Sequence, residues 1–247
     1  MPPPLSFPFL TGGNAGARAG LELGAAGLVL VGLALLAVVV AGASPWCFPL
    51  ALASYLGMAL LLMRALRRAP WARTGLGPAD RVTLARGVLV ALLAGALADP
   101  TLLANHGGWL FALALAALVL DGVDGWVARR TASASALGAR FDMELDAFFI
   151  LVLCLALLLP GRLGPWVLAI GAMRYAFVAA SRCWPWLAAE LPESRRRKAV
   201  CVWQVAALML ALLPVIPGAV AAWLAATALA GLSLSFAVDV RWLYHHR

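Results

Sequence analysis

The sequence predicts an all-α polytopic membrane protein with eight transmembrane helices: a two-helix N-terminal hairpin and a six-helix core. Composition is the first reason. Of 247 residues, 64% are hydrophobic and only 12% charged, too few polar side chains to coat a soluble domain of this size. The apolar residues also gather into runs that approach or exceed the roughly 20 residues a helix needs to cross a bilayer. An open sheet is excluded, because its edge would leave backbone groups unpaired in lipid. The third reason is the placement of the basic residues, considered after the runs themselves.

The runs lie at about 20–43, 45–66, 80–98, 107–128, 142–160, 163–182, 198–214 and 216–238. Turns such as Ser44-Pro45 and Pro214-Val215-Ile216-Pro217 separate some of them. Trp46, Trp71, Trp109, Trp166 and Trp184 fall near the predicted ends, as an interfacial aromatic belt requires. With the N-terminus in the cytoplasm, alternation puts 17 of the 19 basic residues on the cytoplasmic side, leaving Arg162 outside and Arg174 within a span. Both termini are then cytoplasmic. The N-terminal MPPPLSFPFLTGG lacks the basic start of a signal peptide and reads as a short retained tail. Residues 1–66 form the tail and hairpin, 67–77 a basic linker rich in Pro and Gly, 78–240 the core and 241–247 a cytoplasmic tail. Small residues such as Gly27 and Gly32 suit helix packing.

The net charge of +8 fits membrane topology and anionic lipids or ligands. No basic stretch interleaves with aromatics in a soluble segment, which argues against nucleic acid. Cys47, Cys154, Cys183 and Cys201 form no CxxC pair and read as small apolar fillers, without a zinc or disulfide framework.

The acidic residues carry the chemistry. Five of the eleven, Asp121, Asp124, Asp142, Glu144 and Asp146, occupy DGVDGWVARRTASASALGARFDMELDA. Ionised carboxylates at a bilayer are costly unless paired or bound to metal. Asp121 and Asp124, three apart, share a face at the cytoplasmic end of the fourth span; Asp142 and Asp146, four apart, share one at the start of the fifth. The short connection predicts antiparallel neighbours, so the four should converge at one depth, with Glu144 out of phase. Four carboxylates that close stay ionised only around a cation. Hard oxygen donors select Mg²⁺, Mn²⁺ or Ca²⁺, and two such ions suit displacement at phosphorus. Gly122, Gly125 and Gly138 leave room for close approach, and Arg129 offers a planar fork to a diphosphate. The blander reading is a salt-bridge network with Arg129, Arg130 and Arg140, which has no use for the glycine spacing. A second class, an ion- or proton-coupled transporter, would place its charges at the midplane in repeated halves. Here the acids lie at helix ends on one side, and the halves do not repeat.

Asp121-x-x-Asp124-Gly125-x-x-Ala128-Arg129, eight residues, then Gly138-x-x-x-Asp142-x-x-x-Asp146 resembles the complete signature of the CDP-alcohol phosphatidyltransferase family. Upstream, Pro78-Ala79-Asp80-Arg81-Val82-Thr83-Leu84-Ala85-Arg86 is similar to the P-x-N-x-x-T-x-x-R element that opens the family's first core helix, with Asp80 where Asn is usual. The resemblance covers about 78–240 and implies transfer of a substituted phosphate from a CDP-alcohol to a hydroxyl, with release of CMP. It implies two divalent ions, Mg²⁺ or Mn²⁺, on Asp121, Asp124 and Asp142, with Asp146 also at the metal and acting as general base. Gly125, Ala128, Arg129, Gly138 and Thr83 would hold the CDP portion, and the family implies a homodimer in a bilayer. The donor lipid expected is CDP-diacylglycerol, and the setting a bacterial inner membrane with the site facing the cytoplasm.

For the acceptor, Arg174 and Arg182 lie eight apart, roughly 12 Å along a helix and on nearly one face. Arg174-Tyr175-x-x-Val178-x-x-x-Arg182 resembles the R-E-x-x-V-x-x-x-R element of bacterial phosphatidylglycerophosphate synthases, with Tyr175 replacing the acid. Arg195, Arg196, Arg197 and Lys198 follow, and Arg196 and Lys198 complete the expected anion pocket. Glycerol 3-phosphate is the favoured acceptor; inositol phosphate, serine, choline and phosphatidylglycerol are alternatives. The plainer readings are that Arg174 snorkels or pairs with a carbonyl, and that 195–198 is a topology signal.

Overall fold

A computed structural model describes residues 13–66, 76–131, 136–189, 191–192 and 194–246. All the described regular structure is helical. The helices are α1 (Gly13–Ala41), α2 (Cys47–Leu66), α3 (Pro78–Ala96), α4 (Pro100–Asn105), α5 (Gly107–Thr131), α6 (Ala136–Leu158), α7 (Leu168–Cys183), α8 (Arg195–Leu212) and α9 (Gly218–His245). Eight of them match the eight predicted runs in order. Four helices are long and apolar enough to cross a membrane, at Gly16–Val40, Cys47–Leu66, Gly107–Thr131 and Gly218–His245. Their outward faces carry large apolar side chains, among them Leu28, Val39, Trp223 and Leu234. Water would penalise such a surface and hydrocarbon would not. The expected linker 67–77 lies, except for its last two residues, outside the described residues, as do the first twelve residues of the tail.

Local chemistry explains the helix ends. Gly42 ends α1 at φ 62°, the left-handed conformation that glycine adopts without strain. Pro78 occupies the first turn of α3, where its missing N–H costs nothing, and Asp80 Oδ2 accepts the Gly77 N–H at 2.8 Å. Two features depart from the sequence reading. Helix α9 runs to His245, so most of the expected tail 241–247 is helical. The six-residue α4 was not expected, although Asp99-Pro100-Thr101 is an N-cap signal. The Asp99 side chain accepts the N–H groups of Thr101 and Leu102 at 3.1 and 3.0 Å.

Helix α3 organises the molecule. Its Leu84, Val88 and Ala91 pack with Leu23 and Leu30 of α1 and with Ala51, Tyr55 and Leu62 of α2. Its Val90, Leu93 and Ala94 join the main core with Leu153 and Leu157 of α6 and Leu208 of α8. The hairpin is closed by Tyr55, whose hydroxyl donates to the Leu23 carbonyl at 2.6 Å. Gly27 admits the Tyr55 ring, 3.2 Å from where its β-carbon would stand, whereas nothing lies within 4 Å of that point on Gly32. Elsewhere helices meet backbone to backbone: a β-carbon on Gly107 would lie 2.2 Å from the Leu212 carbonyl oxygen. At the end remote from the aspartates, Arg162 donates to the carbonyls of Leu213 and Ile216 at 2.7 and 2.6 Å, tying the α6–α7 and α8–α9 turns together.

The expected adjacency of α5 and α6 is not what positions the site. Both helices pack on α3, and they make little contact with each other. Val90, Leu93 and Ala94 of α3 share one core cluster with Leu110 and Ala114 of α5 and with Leu153 and Leu157 of α6, so α3 is the element on which both helices rest.

Candidate active site

The four aspartates do converge, and they do so around a fifth residue. Asp121 and Asp124 come from α5, Asp142 and Asp146 from α6, and Arg86 reaches them from α3. The Arg86 Nη1 donates to Asp121 Oδ1 and the Nη2 to Asp142 Oδ1. Nη1 also lies 3.8 Å from Asp124 Oδ2, and Nη2 lies 3.4 Å from Asp146 Oδ1.

The site is a cup with a buried floor and an open rim. Arg86 and Asp124 form the floor, with side chains 3% and 6% exposed. The side chains of Asp121, Asp142 and Asp146 are 38%, 37% and 41% exposed and form the rim. Thr83, one turn before Arg86 on α3, stands behind Asp124, with its Oγ1 3.0 Å from Asp124 Oδ2 and 3.2 Å from the Ala79 carbonyl. One hydroxyl proton can serve only one of these acceptors, and the carboxylate is the stronger.

This donor set fits a divalent cation. One oxygen from each of Asp121, Asp142 and Asp146 lies within 4.8 Å of the others. All are hard donors of the type that Mg²⁺ and Mn²⁺ prefer. One guanidinium against four carboxylates leaves three negative charges uncompensated (four minus one) when all are ionised. Arg86 alone therefore cannot neutralise the cup.

The expected nucleotide side of the site lies along α5 and the start of α6. Gly125 and Ala128 are partly exposed and Arg129 is exposed. Arg129 folds back over Gly125, its Nη1 3.4 Å from where a β-carbon on that glycine would stand. Gly138 is partly exposed near the start of α6. Arg130 stacks on Trp126, its guanidinium carbon 4.7 Å from the ring centroid. The arginine found among the aspartates is Arg86, not Arg129, Arg130 or Arg140.

The expected acceptor residues divide. Arg174 of α7 reaches the end of α6 that carries Asp142 and Asp146, but its Nη2 donates to Glu144 Oε1 at 2.9 Å. Glu144, out of phase with the aspartates, is thus paired with Arg174. Arg182 is exposed at the end of α7, and Lys198 is exposed in the first turn of α8. Arg196 points to α9 instead, donating to the Ser235 carbonyl at 2.7 Å and to Asp239 Oδ1 at 2.5 Å. Arg197 lies 3.8 Å from the other oxygen of Asp239.

Compared with curated proteins and with solved structures, the chain has no significant match. The profile of one protein family, CDP-alcohol phosphatidyltransferase, matches residues 76–234, a stretch that contains α3 through most of α9 and every residue of the cup. The convergence of its signature aspartates on a partly open, divalent-cation-compatible cup agrees with that match, and the chain belongs to the CDP-alcohol phosphatidyltransferase family.

Proposed function

We propose that the protein transfers the phosphatidyl group of CDP-diacylglycerol to glycerol 3-phosphate with release of CMP. The observation that carries this reading is the convergence of Asp121, Asp124, Asp142 and Asp146 in a cup open on one side. The four would hold two divalent ions, Mg²⁺ or Mn²⁺. Such ions, when bound, neutralise charge on the diphosphate and on the leaving phosphate.

The chain's own residues do the rest. Asp146 is on the rim, open enough to meet an acceptor and close enough to the other carboxylates to act at the same phosphorus. It takes the proton of the acceptor hydroxyl as that oxygen attacks the β-phosphorus. The bond from this phosphorus to the CMP oxygen breaks, and CMP leaves with the electron pair. Arg129 offers its fork to the diphosphate, with Gly125, Ala128 and Gly138 lining the nucleotide path. Arg174 and Arg182, on one helix, receive the acceptor phosphate, with Lys198 at the edge of the pocket, while Arg196 is taken up by Ser235 and Asp239 of α9. Thr83 acts on the nucleotide side through Asp124, which its hydroxyl orients.

The wider assembly follows the same reading. All eight long helices cross the bilayer, with 78–240 as catalytic core and the α1–α2 hairpin as an accessory. Both termini and the cup face the cytoplasm, the membrane is a bacterial inner membrane, and the enzyme is a homodimer.

One observation favours a second acceptor class. The Arg174–Glu144 pair already neutralises the arginine, which suits an acceptor without net negative charge, such as zwitterionic serine or cationic choline. A single assay decides. Purified protein receives radiolabelled CDP-diacylglycerol, Mg²⁺ or Mn²⁺ and a panel of acceptors, and the lipid product is identified. Phosphatidylglycerophosphate as the main product is expected. A product from serine or choline transfers the assignment to the second reading, and no CMP release with any acceptor rejects both. Asp146→Asn should insert normally and lose transfer; wild-type turnover in that variant sinks the assigned base.

A further inference from the structure

The floor of the cup carries a charge that the proposed reaction does not use. Arg86 is 2% exposed, and its Nε has no hydrogen-bond partner. A buried guanidinium is costly to desolvate and is retained only where carboxylates compensate it closely. Here the compensation is unusually complete. The two ends of one planar fork reach two helices, with Nη1 on Asp121 of α5 and Nη2 on Asp142 of α6. The remaining two aspartates lie within 3.8 and 3.4 Å of the same nitrogens.

Two further facts give this geometry a consequence. Helices α5 and α6 make little contact with each other, so apolar packing between them does not hold the two carboxylate pairs together. Second, the oxygens that Arg86 engages belong to the set that would coordinate a cation: Asp121 and Asp142 accept from it directly, and Asp146 is the third member. A metal ion and Arg86 therefore compete for the same lone pairs.

We infer that Arg86 is a resident counter-ion: it bridges α5 and α6 and keeps the four carboxylates assembled without metal, and it must yield Asp121 and Asp142 when metal binds, so that it sets the metal affinity of the site. Arg86 is on this account a positioning residue. The inference rests on the metal reading above and adds to it a cost for binding. Each divalent ion gains the carboxylates and loses the part of that gain already satisfied by the guanidinium. The arrangement also explains how an acidic cluster this dense can fold before metal arrives, since metal binding and folding otherwise become one event.

The test uses the full chain in detergent, with Mn²⁺ binding followed by electron paramagnetic resonance and melting followed with chelator or with Mn²⁺. Arg86→Gln removes the charge, Arg86→Lys keeps it without the fork, and Arg86→Gln/Asp121→Asn removes one charge of each sign. Arg86→Gln is expected to melt lower than wild type in chelator, to gain more from Mn²⁺, and to bind Mn²⁺ about tenfold more tightly or better. Arg86→Lys should fall between, and the double variant should recover part of the metal-free melting temperature. Folding of Arg86→Gln only with Mn²⁺ supports the inference. It is overturned if Arg86→Gln matches wild type in both metal-free melting and Mn²⁺ affinity, or if its loss of folding is relieved neither by Mn²⁺ nor by Asp121→Asn. A wild-type chain that binds no Mn²⁺ rejects the metal reading itself, and that failure is distinct.

Discussion

The Thr83 hydroxyl on α3 stands 3.0 Å from Asp124 Oδ2 on α5, inside the protein beneath the open rim of the cup. The contact fixes the one aspartate of the four that is buried, and so sets the direction in which its other oxygen points. Thr83→Val keeps the side-chain shape and removes the donor. Loss of such a supporting hydrogen bond lowers metal affinity by about 10- to 100-fold in comparable sites. We expect weaker Mn²⁺ binding and slower turnover, with Thr83→Ser restoring both. A raised KM for the CDP-lipid at unchanged Mn²⁺ affinity would instead show that Thr83 touches the nucleotide.

The hairpin lies outside the matched 76–234 region but bears on the back of the cup. Gly87 follows Arg86 on α3, and the Met58 Cε of α2 lies 2.6 Å from where a Gly87 β-carbon would stand. Met58 packs against both apolar clusters and so links the hairpin to the core. Gly87→Val should push the Met58 side chain out of its place between the two clusters, with an overpacking cost of up to about 1–3 kcal/mol. The expected result is a lower melting temperature together with reduced turnover, both partly recovered by adding Met58→Ala. Because the two sites touch, their effects should not be additive. Strict additivity in the double-variant cycle would show that Met58 is not the obstacle.

Hydrophobic runs carried most of the architecture, because each spanning helix announces itself by length and apolarity independent of its neighbours. The aspartate spacing was legible for the same reason: residues three or four apart share a face wherever the helix goes. Relationships between helices were not legible. Arg86 is 35 residues from Asp121 and 56 from Asp142, and no periodicity reports which helix will lie between two others. Its signal was present in weak form, as the arginine that closes the Pro78-to-Arg86 element, two turns into an apolar helix and in phase with Thr83. The short α5–α6 connection held the two helix ends together but did not report that the helix bodies rest on α3 more than on each other. Glu144 and Asp239 were missed likewise: their partners Arg174 and Arg196 lie 30 and 43 residues away.

Asp99 lies between α3 and α4, outside the spanning helices, and secures the turn of the hairpin by accepting the Ser44 N–H at 2.9 Å. The Thr101 hydroxyl at 2.6 Å, with the backbone N–H groups of Leu102 and Ser44, holds its carboxyl down at about 2 against an ordinary 3.8. The folded value is depressed, so the stabilisation is fully present above the ordinary value and is lost as pH falls through the folded one. Wild type should therefore out-melt Asp99→Asn at about pH 5, and the gap should shrink as pH approaches about 2. Taking the difference between the two proteins cancels the titration of the other carboxylates. A gap that does not change over this interval would show that charge on Asp99 is not what the four donors recognise.

Glu144 holds Arg174 by a 2.9 Å contact at the aspartate end of α6, two residues from both Asp142 and Asp146 and so on the opposite side of that helix. Its own side chain is half exposed, so the pair is a modest one, in the range of about 0–1 kcal/mol for ion pairs open to solvent. An acceptor phosphate that binds Arg174 has to compete with this carboxylate. Glu144→Gln keeps the size of the side chain and releases the guanidinium. With a phosphorylated acceptor, KM should fall severalfold at little change in kcat, because Glu144 acts on binding and does not touch the reacting atoms. With serine or choline the same variant should leave KM unchanged or raise it, since their ammonium groups gain nothing from a freed arginine. Equal kinetics of wild type and Glu144→Gln toward glycerol 3-phosphate would remove Arg174 from the acceptor pocket and leave the pair as a tie between α6 and α7.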